Sequence, residues 1–231
     1  DFTPRFLSAH EPFSHLHMDV KYVYPSSDKK EYLLIIIDVC TRYCLGFPLK
    51  DITALNISEI LLQKVFFQFG IPRTISSDYG PEMNSRINKL LTKTLNIERH
   101  FCTEGSHESI LAERAIQTIA NIMIPKLRGK GRNWPSLVQA SLYAYNTSPH
   151  SIIEGYSPHE LLFGRPPRDP LNLGNEIVES KVPISVQDYA ISLKQRLATI
   201  GDIATALHNR HQQQLVLDRA REINRKPIFQ V

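Results

Sequence analysis

The sequence predicts an α/β fold: a mixed five-stranded sheet with helices on both faces, followed by a helical C-terminal extension. Three observations predict it. Residues 15–49 hold three short segments that alternate or run apolar with strand character. From residue 56 the apolar period lengthens to that of a helix. Two short β-rich segments then recur between helical ones. Composition permits such a core, since 42% of the 231 residues are apolar, with 10 Phe, 9 Tyr and 1 Trp.

Residues 1–14 read as an irregular lead-in. His15 to Tyr24, HLHMDVKYVY, alternates and suits a strand. PSSDKK is a turn. Glu31 to Val39, EYLLIIIDV, is a continuous apolar run, a strand buried on both faces. Tyr43 to Leu49 makes a third strand after a turn at Thr41–Arg42. Connections this short require an antiparallel meander. Asn56 to Phe69 carries apolar residues at 57, 60, 61, 65, 66 and 69, a helical stripe stopped by Gly70 and Pro72. Arg73 to Ser77 is a short strand ending at Asp78. Asn84 to Leu95 places Ile87, Leu90, Leu91 and Leu95 on one helical face, and Glu98 to Cys102 returns to strand. Ser109 to Leu127 is a long helix with Pro125 near its end. GKGRNWP is a loop, and Trp134 to Asn146 a further helix with Pro135 in its first turn. The Pro-, Gly- and Asn-rich stretch that follows holds one short helix near Pro158–Phe163. A helical pattern resumes from Ser185 to Asn224 through Tyr189, Leu193, Leu197, Ile200, Ala204 and Leu207, with a break at Gly201–Asp202. The chain therefore divides into a lead-in (1–14), a core (15–170), a connector (171–184) and a helical linker (185–231). Three antiparallel strands followed by helix–strand–helix–strand–helix match the ribonuclease H-like architecture.

Charge and cysteine content narrow the function classes. A net charge of +4 and a pI near 8.9 fit a nucleic-acid partner without requiring one. Cys40, Cys44 and Cys102 form no disulfide framework, lack partners at zinc spacing, and read as small buried hydrophobes. The opening DFTPRFLSAHEPF does not read as a signal peptide, and the longest apolar run, Leu33 to Ile37, is too short to span a membrane. A soluble intracellular protein, nuclear or cytoplasmic, is expected, with no membrane partner. The chain opens without Met and stops at KPIFQV, which reads as the start of a strand, so it is expected to be part of something longer.

Three acids stand out. Asp19 lies mid-strand between Met18 and Val20, Asp78 ends the fourth strand, and Glu113 falls in the first turns of the long helix. Singly they fit a tolerated strand Asp, a turn Asp and a helix-terminal Glu. An acid in apolar surroundings is costly unless paired or holding a metal. If the first and fourth strands are parallel neighbours, Asp19 and Asp78 stand side by side and the helix brings Glu113 alongside. Such oxygen ligands suit Mg²⁺ or Mn²⁺. Two ions about 3.5–4 Å apart clamp the attacking and leaving oxygens of a phosphoryl displacement. Gly80 allows backbone to pass close to DNA.

The segments HLHMDV (15–20), FGIPRTISSDYGPEM (69–83), HESILAER (107–114), WPSLVQASLYAYNTSPH (134–150) and GYSPHELLFGRPP (155–167) resemble the integrase core of LTR retrotransposons, nearest the gypsy class and more distantly the retroviral integrases. The likeness runs from about residue 13 to 170 and rests on the order and spacing of motifs that are individually weak. It implies a metal-dependent polynucleotidyl transferase with endonuclease activity, which removes nucleotides from the 3′ ends of element DNA and joins those ends to target DNA. It implies a catalytic and metal-holding triad at Asp19, Asp78 and Glu113, with two Mg²⁺ or Mn²⁺ ions. It also implies double-stranded DNA as partner, both element ends and target, and homo-oligomers on DNA. The family's zinc-binding His/Cys domain and C-terminal β-barrel have no counterpart in this sequence. The sequence departs from the pattern in one respect: 34 residues stand between Asp78 and Glu113, one fewer than is usual, and EGSHESILAE lacks the common Pro-containing loop. Glu108 competes for the third position, but it is expected outside the helix and is not followed by Arg.

Candidate DNA contacts are Arg114, Gln117 and Asn121 along the long helix, and Lys126, Arg128, Lys130 and Arg132 after it. Each also fits a solvated surface. Two other functions share the carboxylates: a domesticated DNA- or partner-binding protein without catalysis, and a nuclease that hydrolyses without joining. The intact triad favours catalysis, and the motifs after residue 134 favour integrase over a plain nuclease.

Overall fold

The computed structural model describes residues 11–78, 86–102, 107–127 and 133–167, together with helical positions 195, 198, 199, 202–207, 209, 210, 213, 214 and 217. Its strands are β1 (His15–Tyr22), β2 (Tyr32–Asp38), β3 (Cys44–Leu49), β4 (Thr74–Ser77) and β5 (Glu98–Phe101). They form one sheet in the order β3-β2-β1-β4-β5. β1, β2 and β3 pair antiparallel, whereas β1–β4 and β4–β5 are parallel. This is the expected mixed sheet.

After N-cap Thr53, helix α1 (Ala54–Ile60) passes through a π-helical turn (Leu61–Phe66) into the short α2 (Phe67–Phe69). Leu61, Val65 and Phe66 are buried along this turn and continue the apolar stripe of α1. Gly70, at φ 95°, ends the run in the left-handed region that favours glycine. α3 (Arg86–Thr94), α4 (His107–Met123), α5 (Pro135–Thr147) and α6 (Pro158–Phe163) complete the core. The helix expected to reach Leu127 gives way at Ile124–Leu127 to a 3₁₀ turn that contains Pro125, whose ring and missing N–H do not suit a continuing α-helix.

Two apolar layers sandwich the sheet. On one face Leu16, Met18, Leu34, Ile36 and Ile75 meet Ile57, Leu61 and Val65. On the other, Leu33, Ile35, Ile37 and Cys44 meet Ala112, Ala115 and Ile119 of α4 and Val138 and Leu142 of α5. Gly46 lets α5 approach β3, because a Cβ there would lie 3.0 Å from Leu142 Cδ1 and 3.1 Å from Ile35 Cδ1. Asn146 fixes the contact: its Oδ1 accepts from Cys44 N and its Nδ2 donates to Cys44 O, each at 2.8 Å. The side-chain amide thus behaves like one more strand residue at the sheet edge. Wholly buried Trp134 donates from its indole nitrogen to Tyr24 O at 2.9 Å. A third cluster joins Val39, Cys40, Ile153 and Leu161 to Ala204 and Leu207, and Arg210 pairs with Glu154 at 2.6 Å. Cys40 and Cys44 are buried as expected, but Cys102 is only half-buried, because it lies just past the end of edge strand β5. Among the described residues, no helix is long and apolar enough to cross a membrane.

Candidate active site

The site is built on the alternation of β1. Leu16, Met18 and Val20 enter the core, so His15, His17, Asp19 and Lys21 project from the opposite face. The parallel register Met18↔Ser77 carries Asp78, the next residue of its chain, up beside Asp19. The two carboxylates feel each other. Burial pushes the Asp19 pKa up, Lys21 draws it back, and the Asp78 charge raises it again, for a net upward shift. Lys21 Nζ stands 3.1 Å from Asp19 Oδ2, and the Asp19 side chain is only 15% exposed. Asp78 itself is exposed at the strand end.

Glu113 sits in the second turn of α4, exposed. It lines a groove of about 490 Å³ that runs between Lys21, Tyr22 and Tyr24 at the end of β1 and Ile116 and Gln117 of α4. Lys21, paired with Asp19, thus lines the same groove as Glu113. Among the described residues, no three His, Cys, Asp or Glu side chains are grouped closely enough to share one metal ion. Like charges repel, and the ammonium beside them, Lys21, is engaged by Asp19. The donors nevertheless fit a hard divalent cation. All are carboxylate oxygens, and Lys21 already stands against Asp19 as a positive charge.

The other expected residues divide. Gln117 shares the groove with Glu113, and its Nε2 donates to exposed Asn121 Oδ1 at 3.1 Å. Arg114, a third of a turn round the helix, lines a different cavity with Arg42 and Tyr145. Glu108 was expected outside the helix, but α4 begins at His107 and includes it; the first turn starts two residues earlier than the apolar stripe shows. The Lys126 side chain and residues Arg128, Lys130, Arg132 and Gly80 lie outside the described residues.

Several residues at the site were missed from sequence. Lys21 could have been found, since two positions on from Asp19 along a strand is the same face. His15 Nε2 and His17 Nδ1 stand 2.9 and 3.0 Å from Ser76 Oγ, so one buried hydroxyl serves both rings. Burial, then His100, lowers the His15 pKa to about 4, and burial, then His15, lowers that of His17 to about 3. Both rings are neutral at pH 7. Arg99, with its pKa lowered by burial, reaches Ser77 Oγ at 3.5 Å and lies 5.2 Å over the Phe101 ring.

Comparison with known proteins places this arrangement. Residues 9–107 match the family described as the integrase core domain. This chain carries an integrase core domain. The match includes Asp19 and Asp78 and ends where α4 begins, before Glu113. The chain is 32% identical over 162 residues to the Pol polyprotein of Radiation murine leukemia virus (strain Kaplan), covering 68% of this chain and 27% of that one. It is 29% identical over 171 residues to the Gag-Pol polyprotein of Koala retrovirus, covering 73% of this chain and 10% of the relative. The integrase core therefore corresponds to a minor part of these curated relatives. Among solved structures, the catalytic core domain of BIV integrase aligns with a TM-score of 0.53 at 18% identity, covering 65% of this chain and 93% of that one. The HTLV-2 integrase catalytic core domain, solved in complex with magnesium in a trimeric form, aligns with a TM-score of 0.54 at 18% identity, covering 65% and 96%. These likenesses establish the integrase-type, ribonuclease H-like fold.

Proposed function

We propose that this chain is the catalytic core of a gypsy-class retroelement integrase, acting on double-stranded DNA as a homo-oligomer. In this reading it performs 3′-end processing of element DNA and strand transfer into target DNA. The observation that carries the reading is the placement of Asp19 and Asp78 on adjacent parallel strands, with Glu113 across the Lys21 groove. Asp19, Asp78 and Glu113 are the residues that would hold the divalent cations. Bound there, a pair of Mg²⁺ or Mn²⁺ ions would supply charge stabilisation to the attacking and leaving oxygens of an in-line displacement.

The chain's own residues do the rest. The strands hold Asp19 and Asp78 on a rigid platform, which fixes the line of attack. Water attacks the phosphorus near the element's end, the bond to the 3′ oxygen breaks, and that oxygen leaves as a free 3′-hydroxyl. This hydroxyl attacks a target phosphodiester in the same manner, so one phosphodiester forms as another breaks. Lys21, half-exposed beside Asp19, would offer its ammonium to a nearby DNA phosphate. Gln117 and Asn121 offer amide contacts to the backbone along the groove.

The test is a disintegration assay with Mn²⁺ on a branched oligonucleotide, which does not demand the full-length protein. Asp78→Asn is expected to lose joining by at least about 100-fold, in line with loss of a transition-state electrostatic contact, while its thermal unfolding stays close to that of the wild type. Wild-type joining in the variant would sink the assignment. Glu113→Gln and Glu108→Gln compared side by side identify the third acid, and only the former should lose activity. Metal binding by calorimetry discriminates the second reading, a domesticated DNA- or partner-binding protein without catalysis, which would show neither joining nor bound metal.

A further inference from the structure

The groove that Glu113 lines is mostly apolar. Its floor is Leu33, Ile119 and Met123, buried members of the core layer under α4. Ile116, Ala120 and Ile124 follow one another at four-residue steps and line it further. Two of its large side chains stand open to water, Tyr22 at 61% exposure and Ile124 at 59%. The Tyr22 ring is steadied by an edge-on contact with Tyr32, with centroids 5.6 Å apart. Two charged residues line the groove, Lys21 and Glu113, and they are opposite in sign. An open apolar surface of this kind, running up to a candidate active-site carboxylate, marks a place for a ligand.

We propose that this groove seats one unpaired nucleobase of the DNA, stacked on Tyr22 against the Ile116 and Ala120 side chains, with that nucleotide's phosphate at Lys21. The proposal rests on the integrase reading above and adds a subsite to it. A sugar-phosphate backbone does not suit the groove itself. Phosphate laid over aliphatic side chains beside the Glu113 carboxylate would be both desolvated and repelled. The backbone stays at the rim, by Gln117. A base carries no net charge and has a flat face that aromatic and aliphatic walls accept whatever its sequence. In a duplex that face is covered by the neighbouring bases of the stack, so only a nucleotide taken out of the stack presents it. The room suffices: about 490 Å³ falls within the roughly 300–1,000 Å³ of clefts that hold one small organic ligand. Lys21 meets the charge, because an ammonium has three N–H donors, enough for Asp19 and a phosphate together. The floor belongs to the core, so the seat is formed before any DNA arrives.

Binding of a fluorescent duplex by the full chain is followed by anisotropy in Mg²⁺. Two DNA ends are compared: one with an unpaired terminal nucleotide, on either strand, and one in which that nucleotide is abasic. The wild type is expected to bind the unpaired base about tenfold more tightly than the abasic end. Tyr22→Ala removes the stacking wall and Ala120→Leu fills the seat. Each should cut the preference to about twofold or less while affinity for the abasic end stays unchanged. Should Ala120→Leu fail to fold, Tyr22→Ala, altered at an exposed position, still decides. 2-Aminopurine as the unpaired base supplies the direct reading, since stacking on Tyr22 quenches its emission and Tyr22→Ala should restore it. Equal wild-type affinity for the two ends on both strands overturns the proposal, as does a preference that survives in Tyr22→Ala or an absence of DNA binding. A groove that seats a second copy of the chain would instead give a dimer in sedimentation without DNA, dissociated by Ala120→Leu, and no preference for the base; that result also overturns it. Asp78→Asn should keep the tenfold preference. A wild type that joins strands without the preference sinks this inference alone, and a preference without joining sinks the catalytic reading alone.

Discussion

The two faces of β1 are made of one strand and do opposite work. Toward α1 it presents Leu16 and Met18, both wholly buried, in a layer with Leu34, Ile36 and Ile75. Toward α4 it presents His15, His17, Asp19 and Lys21, beside Ser76 and Asp78 of the neighbouring strand. The first face gives the sheet its free energy of folding, and the second spends part of it on desolvated polar groups. The difference teaches that the site is rigid because its back is a core. A carboxylate pair on a loop would lack that support.

The comparison breaks most sharply at neighbouring residues. Met18→Ala is expected to cost about 2–5 kcal/mol by urea unfolding, through lost transfer energy and a cavity. Asp19→Asn, one residue on, is expected to leave stability equal or higher, since burial already disfavours its charge. It should abolish joining. Equal destabilisation by the two would mean that the polar face is also structural.

A second prediction uses pH. His15 and His17 have folded pKa values of about 4 and about 3, below the ordinary value of 6.5. The unfolded chain therefore binds more protons, and the stability due to these rings is whole above pH 6.5 and declines as pH falls from there toward 4. The expected loss between pH 7 and 5 is about 2 kcal/mol for each neutral ring, order of magnitude. Asp19 and Asp38, with raised pKa values, act in the opposite sense nearer the carboxylate range. Urea midpoints at pH 7, 6 and 5 for wild type and His15→Gln check this, and a slope unchanged in the variant would remove His15 from the account.

The smallest effect belongs to the α5 contact. Gly46→Ala should destabilise by about 1–3 kcal/mol through overpacking against Leu142 and Ile35. A neutral result would show that α5 has more freedom on β3 than its close approach suggests.

Much of this was legible in the sequence, for stated reasons. The period-two pattern of HLHMDV, the apolar run before Asp38 and the stripe at 57–69 produced the strands and helices. The short connections imply the antiparallel meander, and the placing of Asp19 beside Asp78 depends on β1 and β4 being parallel neighbours, which they are. What escaped was tertiary. The π turn at Leu61–Phe66 carries the same apolar stripe as an α-helix, so periodicity does not distinguish the two. The bond between Asn146 and Cys44 joins positions 102 apart. The pairing of Lys21 with Asp19 needed only the alternation already in use, and Lys21 and Glu113 line one groove. Arg114 follows Glu113 in sequence, and that single residue step turns it to another cavity.

The Asn146 amide has one more consequence. β3 lies at the end of the sheet order, where a bare strand would offer its peptide groups to any passing chain. At Cys44 those groups are already taken, by a side chain from near the end of α5. Any trimming of this core for laboratory use thus has a lower bound set by residue 146. A version cut short of it keeps every strand yet uncovers a sticky margin, and it should precipitate as stacked sheets rather than merely unfold.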